Sequence, residues 1–341
     1  MSETIPECIS KRYADALETE LRRWLSQRKP VGRHYDMLAY HMGWADEHLQ
    51  PYEGPRGKRF RPLLCLLSCE AAGGDWHDAL PIGAAIEFLH NFSLIHDDIE
   101  DGDDSRHHRP TMWKLWGEPL AINAGDAMLA LSGLAALSIS DAPKISMEFQ
   151  ETALALTEGQ YLDMTFEDVP SVSRDDYFKM IALKTGALIT FACVSGARLG
   201  GGRADQINAF REFGHHFGLA FQIYDDIRGI WAPSEQTGKA EAKDIVNRKK
   251  SLPVVLAMKV ATGSDSDQLE QYYAGAADVE PDVISLILER LGVRSQVEDA
   301  QDTHMSQAFG ALEGVDLEPA RAAELRSLAA GIVGQQVTSL S

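Results

Sequence analysis

Apolar positions along this chain recur at three- and four-residue steps almost from end to end. Ile9, Tyr13, Leu17, Leu21, Trp24 and Leu25 follow that spacing, which predicts an amphipathic helix over residues 9–25. A second helix is expected over 34–48, then a turn-rich break at 51–57 (Pro-Tyr-Glu-Gly-Pro-Arg-Gly). Pro62 suits the first turn of a helix running to Ala72, and Gly73-Gly74-Asp75 closes it. Further helices are expected over 81–101, 121–138 and 145–166. Ser173 with Asp176 three residues on predicts a cap for another running to Leu199. Gly200-Gly201-Gly202 ends that helix, and 204–231 follows. A charged loop at 102–110, a polar loop at 233–243 and several helices from 252 to about 335 complete the pattern. Nowhere does the chain alternate as a strand does, and it shows neither repeat nor linker. The reading is an all-α fold: one domain over 1–341, a bundle of ten or so helices.

Composition supports a large core and changes little else. Of 341 residues, 45% are hydrophobic and 24% charged. The net charge of −19 argues against nucleic-acid binding, so an anionic substrate must be held by local cations or by metal. Cys8, Cys65, Cys69 and Cys193 lack disulfide or zinc spacing. The most apolar windows, 120–139 and 185–199, are interrupted by Asp126 and Arg198, so no membrane span is expected. With no signal pattern at the N-terminus, a soluble cytoplasmic protein is expected.

Charge is concentrated at five places. Asp97 to Asp104 holds six acids in eight residues directly after an apolar helical run. If the helix continues to Asp101, then Asp97, Asp98 and Asp101 share one face and repel one another unless a cation sits between them. Such a face is either solvated charge or an oxygen-ligand site for a hard cation such as magnesium. Asp225-Asp226 repeats the design at the end of another apolar helix, as expected of facing carboxylates that clamp metal. Gly57-Lys58-Arg59-Phe60-Arg61-Pro62 puts three cations at a helix start, where side-chain charge and free N–H groups suit a phosphate. His90 lies two turns before Asp97, about 10 Å along the same helix. Lys184, inside an apolar helix, needs an anionic partner.

Taken in order, these segments resemble the trans-isoprenyl diphosphate synthases, the polyprenyl synthase family. The resemblance runs from about Gly57 to Pro253. It is carried by Gly57 to Pro62, His90, Asp97-Asp98-Ile99-Glu100-Asp101, Gly159 to Asp163, Lys184-Thr185, Phe221 to Asp226, Thr237-Gly238-Lys239 and Lys249. It implies an isoprenoid synthase bundle around a central cavity, and a magnesium-dependent prenyltransferase. Asp97, Asp101 and Asp225 would bind three Mg²⁺ ions, with Asp98 and Asp226 helping, to hold an allylic diphosphate. Arg106, Lys184, Lys239 and Lys249 would surround the leaving group, with Thr185 and Gln222 near the reacting carbons. Lys58, Arg61 and His90 would hold isopentenyl diphosphate. The family also implies a homodimer.

Two departures qualify the match. His107 stands where a second arginine is expected after Arg106, leaving His107 or Arg109 to take its place. Gly229 replaces the third acid of the second aspartate motif, with Asp244 as outer support. Phe92, five residues before Asp97, would floor the cavity and favour a short product, geranylgeranyl before farnesyl. A helical wheel, however, puts Ser93 nearer the acidic face than Phe92.

Three other functions share parts of this pattern. A class I terpene cyclase needs only one diphosphate site, so Lys58, Arg61 and His90 argue against it. A di-iron bundle would use the two Glu-x-x-His segments at Glu87–His90 and Glu212–His215. A noncatalytic partner subunit should have lost one aspartate motif.

Overall fold

The computed structural model describes residues 6–55, 57–139, 143–232, 242–275 and 279–334. Sixteen α-helices lie among them. In order they are α1 (Glu7–Ser26), α2 (His34–His41), α3 (Phe60–Ala71), α4 (Leu80–Glu100), α5 (Met112–Trp116), α6 (Glu118–Leu137), α7 (Pro143–Glu167), α8 (Arg174–Ile181), α9 (Ala187–Leu199), α10 (Ala204–Trp231), α11 (Lys243–Val246), α12 (Leu252–Val260), α13 (Ser264–Tyr273), α14 (Pro281–Arg290), α15 (Val293–Ala311) and α16 (Pro319–Ile332).

The apolar stripes pack as their spacing requires. Ile9, Tyr13, Leu17 and Leu21 of α1 are fully or almost fully buried against α3 and α4. Helix α4 is buried along most of its length, with α6 packed lengthwise against it and α3 and α9 also in contact. Helix α10 sits between α9 and α15. Residues beyond Ala261 contribute Leu269, Tyr272, Tyr273, Ile284, Ile287 and Leu288 to a smaller apolar cluster with Ile245 and Val254.

Four local features depart from the sequence pattern. The helix expected over 34–48 stops at His41. Gly43 takes a positive φ of 83°, so its N–H bonds Tyr40 and the N–H of Trp44 bonds back to Ala39 at 2.8 Å. The charged loop 102–110 contains a hairpin, Ser105–Arg106 against Arg109–Pro110, whose turn residues His107 and His108 both have positive φ. Asp101 caps α4 instead of lying within it. The long helix expected up to Leu199 is broken by a wide π turn over Ala182–Gly186. Two helical runs, Glu118–Leu137 and Arg174–Leu199, are long and apolar enough to cross a bilayer; the second is 72% buried in the bundle and the first 44%.

Candidate active site

The aspartates at the end of α4 and those near the end of α10 line the same region. A cavity of about 670 Å³ is lined by Lys58, Arg61, His90, Asp97, Asp98, Arg106, His107, Lys184, Thr185, Gln222 and Asp225, among others. A second space of about 300 Å³ adjoins it through shared walls at Lys184, Gln222, Asp225 and Arg228. Asp101, Asp163, Asp226, Asp244 and Lys249 line this second space. The structure thus gathers the site residues expected from sequence. The exception is Lys239, which lies outside the described residues.

One end of the larger cavity is cationic. Arg61 Nη1 donates to His90 Nε2 at 3.1 Å. A guanidinium has no acceptor, so His90 is neutral with its proton on Nδ1. Burial, followed by the charges of Arg61 and Arg106, pushes His90 well below the usual histidine range. The same causes hold His41 neutral: burial first, then Arg106, His107, Arg59 and Arg109, bring it down to about 3. Burial also draws Arg61 down to about 10, which leaves it charged at neutral pH. Arg109 does not supply the second free guanidinium. It donates to the carbonyls of Tyr40 and Ala45 at 3.0 and 2.6 Å and stacks on the Tyr40 ring.

The other end is built of carboxylates and lysines. The π turn is what allows Lys184 to face Asp163. A Cβ at Gly159 of α7 would meet the Lys184 Cα at 2.6 Å, so only glycine lets the two backbones approach this closely. One turn further along α7, Asp163 accepts from Lys184 Nζ at 2.5 Å and lies 3.6 Å from Lys249. These cations outweigh the effect of burial and hold Asp163 below the usual carboxylate range. Lys249 also donates to both oxygens of Asp101, at 3.0 and 3.1 Å. Thr185 Oγ1 donates to Gln222 Oε1 at 2.6 Å, and Gln222 Nε2 donates to Asp226 at 3.1 Å.

The aspartates differ in their surroundings. Asp98 is 2% exposed and accepts from Arg106 at 2.7–2.8 Å, so it steers that guanidinium. Asp226 accepts from Tyr177 at 2.7 Å and from the Leu252 N–H at 2.8 Å, and burial beside Asp244 pushes it up to about 7. The Asp97 carboxylate accepts no hydrogen bond from a described residue, and burial raises it to about 6. A buried carboxyl of this kind has room for a cation. All the donors here are oxygens, as Mg²⁺ requires. Among the described residues no three ligands already surround one point. That also fits magnesium, which is held by one or two carboxylates and completed by phosphate oxygens and water.

Sequence reasoning missed some of these roles. Tyr177, buried with its hydroxyl on Asp226, carries no motif. Arg59 looked like a phosphate cation but pairs with Glu18 and Glu87. Glu87 is thereby engaged by Arg59 and Asn91, and its neighbour His90 by Arg61, which removes this Glu-x-x-His pair from a di-iron role. Asp244 fills the room left by the missing third acid: a Cβ built at Gly229 would overlap the Asp244 carboxylate.

Comparison with known proteins identifies the family. Residues 43–291 match the family described as Polyprenyl synthetase. The chain is 37% identical over 335 residues to a (2E,6E)-farnesyl diphosphate synthase of Mycobacterium bovis, covering 96% of this chain and 89% of that protein. It is 39% identical over 261 residues to a geranylgeranyl diphosphate synthase of Mycobacterium tuberculosis, covering 76% and 74%. Among solved structures, a polyprenyl synthetase from Streptomyces coelicolor A3(2) superposes with a TM-score of 0.87 at 33% identity, covering 95% of this chain and 98% of that one. By its motifs, its helical architecture and these likenesses, the chain belongs to the polyprenyl synthetase family.

Proposed function

We propose that this protein is a short-chain trans-prenyltransferase that condenses isopentenyl diphosphate with an allylic diphosphate. The observation that carries the proposal is a pair of adjoining cavities with two unlike ends. Lys58 and Arg61 supply cations at one end beside His107, and Asp97, Asp101, Asp225, Arg106, Lys184 and Lys249 form the other. Two diphosphates need two such ends, whereas a cyclase needs one.

The allylic C1–O bond breaks heterolytically, and the electron pair leaves with the diphosphate. The isopentenyl double bond then attacks the allylic cation, forming the new C–C bond. A proton lost from the isopentenyl C2 goes to the released diphosphate. Lys184 and Lys249 neutralise the departing charge, and Arg106, aimed by Asp98, adds to them. Thr185 and Gln222, locked together, present fixed dipoles where the cation develops. Lys58, Arg61 and the His90 Nδ1–H hold the isopentenyl diphosphate, with His107 in the second arginine's place. Three Mg²⁺ ions, held by Asp97, Asp101 and Asp225, would supply Lewis-acid charge at the leaving group. Phe92 and Leu188 on the wall exclude water that would quench the cation.

The whole chain is read as one domain and as half of a homodimer. Leu134 and Leu137 of α6 are 45% and 65% exposed, and Met147 and Leu154 of α7 are 69% and 55% exposed. Apolar residues exposed at this level on two packed neighbouring helices support a second copy as their cover. Four free cysteines, three of them buried, suit a reducing compartment such as the cytoplasm.

The test supplies dimethylallyl, geranyl and farnesyl diphosphates, each with isopentenyl diphosphate and Mg²⁺, and reads product length by chromatography. Geranylgeranyl diphosphate is expected first and farnesyl next. Turnover of an allylic diphosphate without isopentenyl diphosphate would favour a cyclase instead.

A further inference from the structure

Arg59 sits in the middle of the phosphate-facing run, yet its charge is committed to the protein. Its Nε donates to Glu18 at 3.0 Å, its Nη1 to Glu87 at 2.6 Å and its Nη2 to the Met42 carbonyl at 3.2 Å. The side chain is 9% exposed. Its backbone is left-handed, with φ 54° and ψ 27°, at the cap of α3. That conformation is unfavourable for a residue with a Cβ, so neighbouring contacts must impose it. The three bonds from the guanidinium do so, tying the loop to α1, to α4 and to the end of α2.

Glu87 gives the arrangement an electrostatic meaning. It is 3% exposed, lies one turn before His90 on α4, and lines the cavity. It is close enough to Arg61 to favour that residue's charged form. Left unpaired, a buried carboxylate here would draw Arg61 to itself and repel an incoming diphosphate.

We propose that Arg59, held by Glu18 and Glu87, is a positioning residue for the isopentenyl diphosphate end of the cavity. It fixes the turn between Lys58 and the start of α3, which carries Arg61, and it neutralises Glu87 so that Arg61 stays available to the substrate. This rests on the reading that Lys58 and Arg61 bind isopentenyl diphosphate.

Glu18 separates the two levels, because it belongs to α1 and lines neither cavity. Trp44 Nε1 donates to its other oxygen at 2.9 Å, so Glu18→Gln keeps the size, removes the charge and leaves one of the two donors without its acceptor. The experiment measures KM for each substrate, kcat and unfolding temperature for Glu18→Gln, Arg59→Asn, Arg59→Asn with Glu87→Gln, and Lys58→Ala. Asparagine tolerates the left-handed backbone, so Arg59→Asn removes the charge and leaves the turn. The KM for isopentenyl diphosphate should rise about tenfold in Glu18→Gln and further in Arg59→Asn, with kcat and the allylic KM nearly unchanged. Adding Glu87→Gln to Arg59→Asn should recover part of the loss, since no carboxylate stripped of its guanidinium then lines the isopentenyl end. If Glu18→Gln and Arg59→Asn lower only the unfolding temperature while Lys58→Ala raises the KM, Arg59 is merely structural and the proposal fails. If Lys58→Ala also leaves that KM unchanged, the assignment of the isopentenyl end is wrong, and this proposal goes with it.

Discussion

The Asp163 carboxylate lies 2.5 Å from the Lys184 ammonium and 3.6 Å from that of Lys249, so one acid on α7 holds two cations that are distant in sequence. All three side chains are mostly buried. Replacing Asp163 by Asn leaves the two ammonium groups without their anion. Removing one partner of a buried pair costs about 3–5 kcal/mol, so Asp163→Asn should lower stability by that order. Denaturant unfolding measures it. A loss below about 1 kcal/mol would mean that Asp101 and Asp97 suffice to hold both lysines.

Gly229 looks like a defect in the second aspartate motif, and restoring the acid looks like an improvement. The structure predicts the opposite. A side chain at 229 meets the Asp244 carboxylate and adds a like charge beside it. Gly229→Asp should therefore reduce both unfolding temperature and condensation rate. A rate equal to or above wild type would show that Asp244 swings away at no cost.

His107 and His108 both hold positive φ in the hairpin turn, and His108 is exposed. A left-handed residue with a Cβ costs about 1–2 kcal/mol relative to glycine, part of which returns as greater chain entropy on unfolding. His108→Gly should raise stability by about 0.5–1 kcal/mol. The rate should not change. His107→Gly should raise the KM for isopentenyl diphosphate, which His108→Gly should not, and this separates the site from the turn.

His304 of α15 and His216 of α10 face each other with their Nδ1 atoms 3.1 Å apart. Burial, followed by His216, His215 and Arg174, lowers His304 to about 4; burial and His215 lower His216, against Glu212. The folded pKa values lie below the unfolded value of about 6.5, so the unfolded chain binds more protons between pH 6.5 and 4. Stability from this pair is therefore complete above pH 6.5 and falls as the pH drops toward 4. Thermal melts of wild type and His304→Gln should converge as the pH is lowered through this window. Parallel curves would remove the pair as the cause.

Phe92 and Ser93 both line the cavity, and the Phe92 ring packs against His96 with centroids 4.7 Å apart. Shortening Phe92 to Ala opens the wall where a prenyl chain would end. The main product should lengthen by at least one five-carbon unit, read by chromatography. Unchanged length would remove Phe92 as the floor.

Much of the fold was legible because burial writes a period into the chain. The stripe from Ile9 to Leu25 and the apolar run before Asp97 gave helices of the right extent and sense. The ends were harder. The helix over 34–48 stopped seven residues early because Gly43 could turn the backbone and Trp44 could bond back to Ala39. The π turn at Ala182–Gly186 was invisible, because the apolar residues on either side of it, Met180, Ile181, Leu188 and Ile189, are buried and leave no stripe to interrupt.

For the site, the sequence alone determined which chemistry is present. Two acidic helix ends, a cationic helix start, Lys184 inside an apolar run and the glycine of Gly159 to Asp163 can be read without coordinates, because charge in apolar surroundings demands a partner. Only the tertiary structure decided which charge meets which. Arg59 and Arg61 are two residues apart and chemically alike. Yet the left-handed turn sends one toward Glu18 and Glu87 and the other toward His90, since a pairing across 28 or more positions of chain depends on where helices pack. Likewise, Gly229 is a missing acid in one dimension and the space for Asp244 in three.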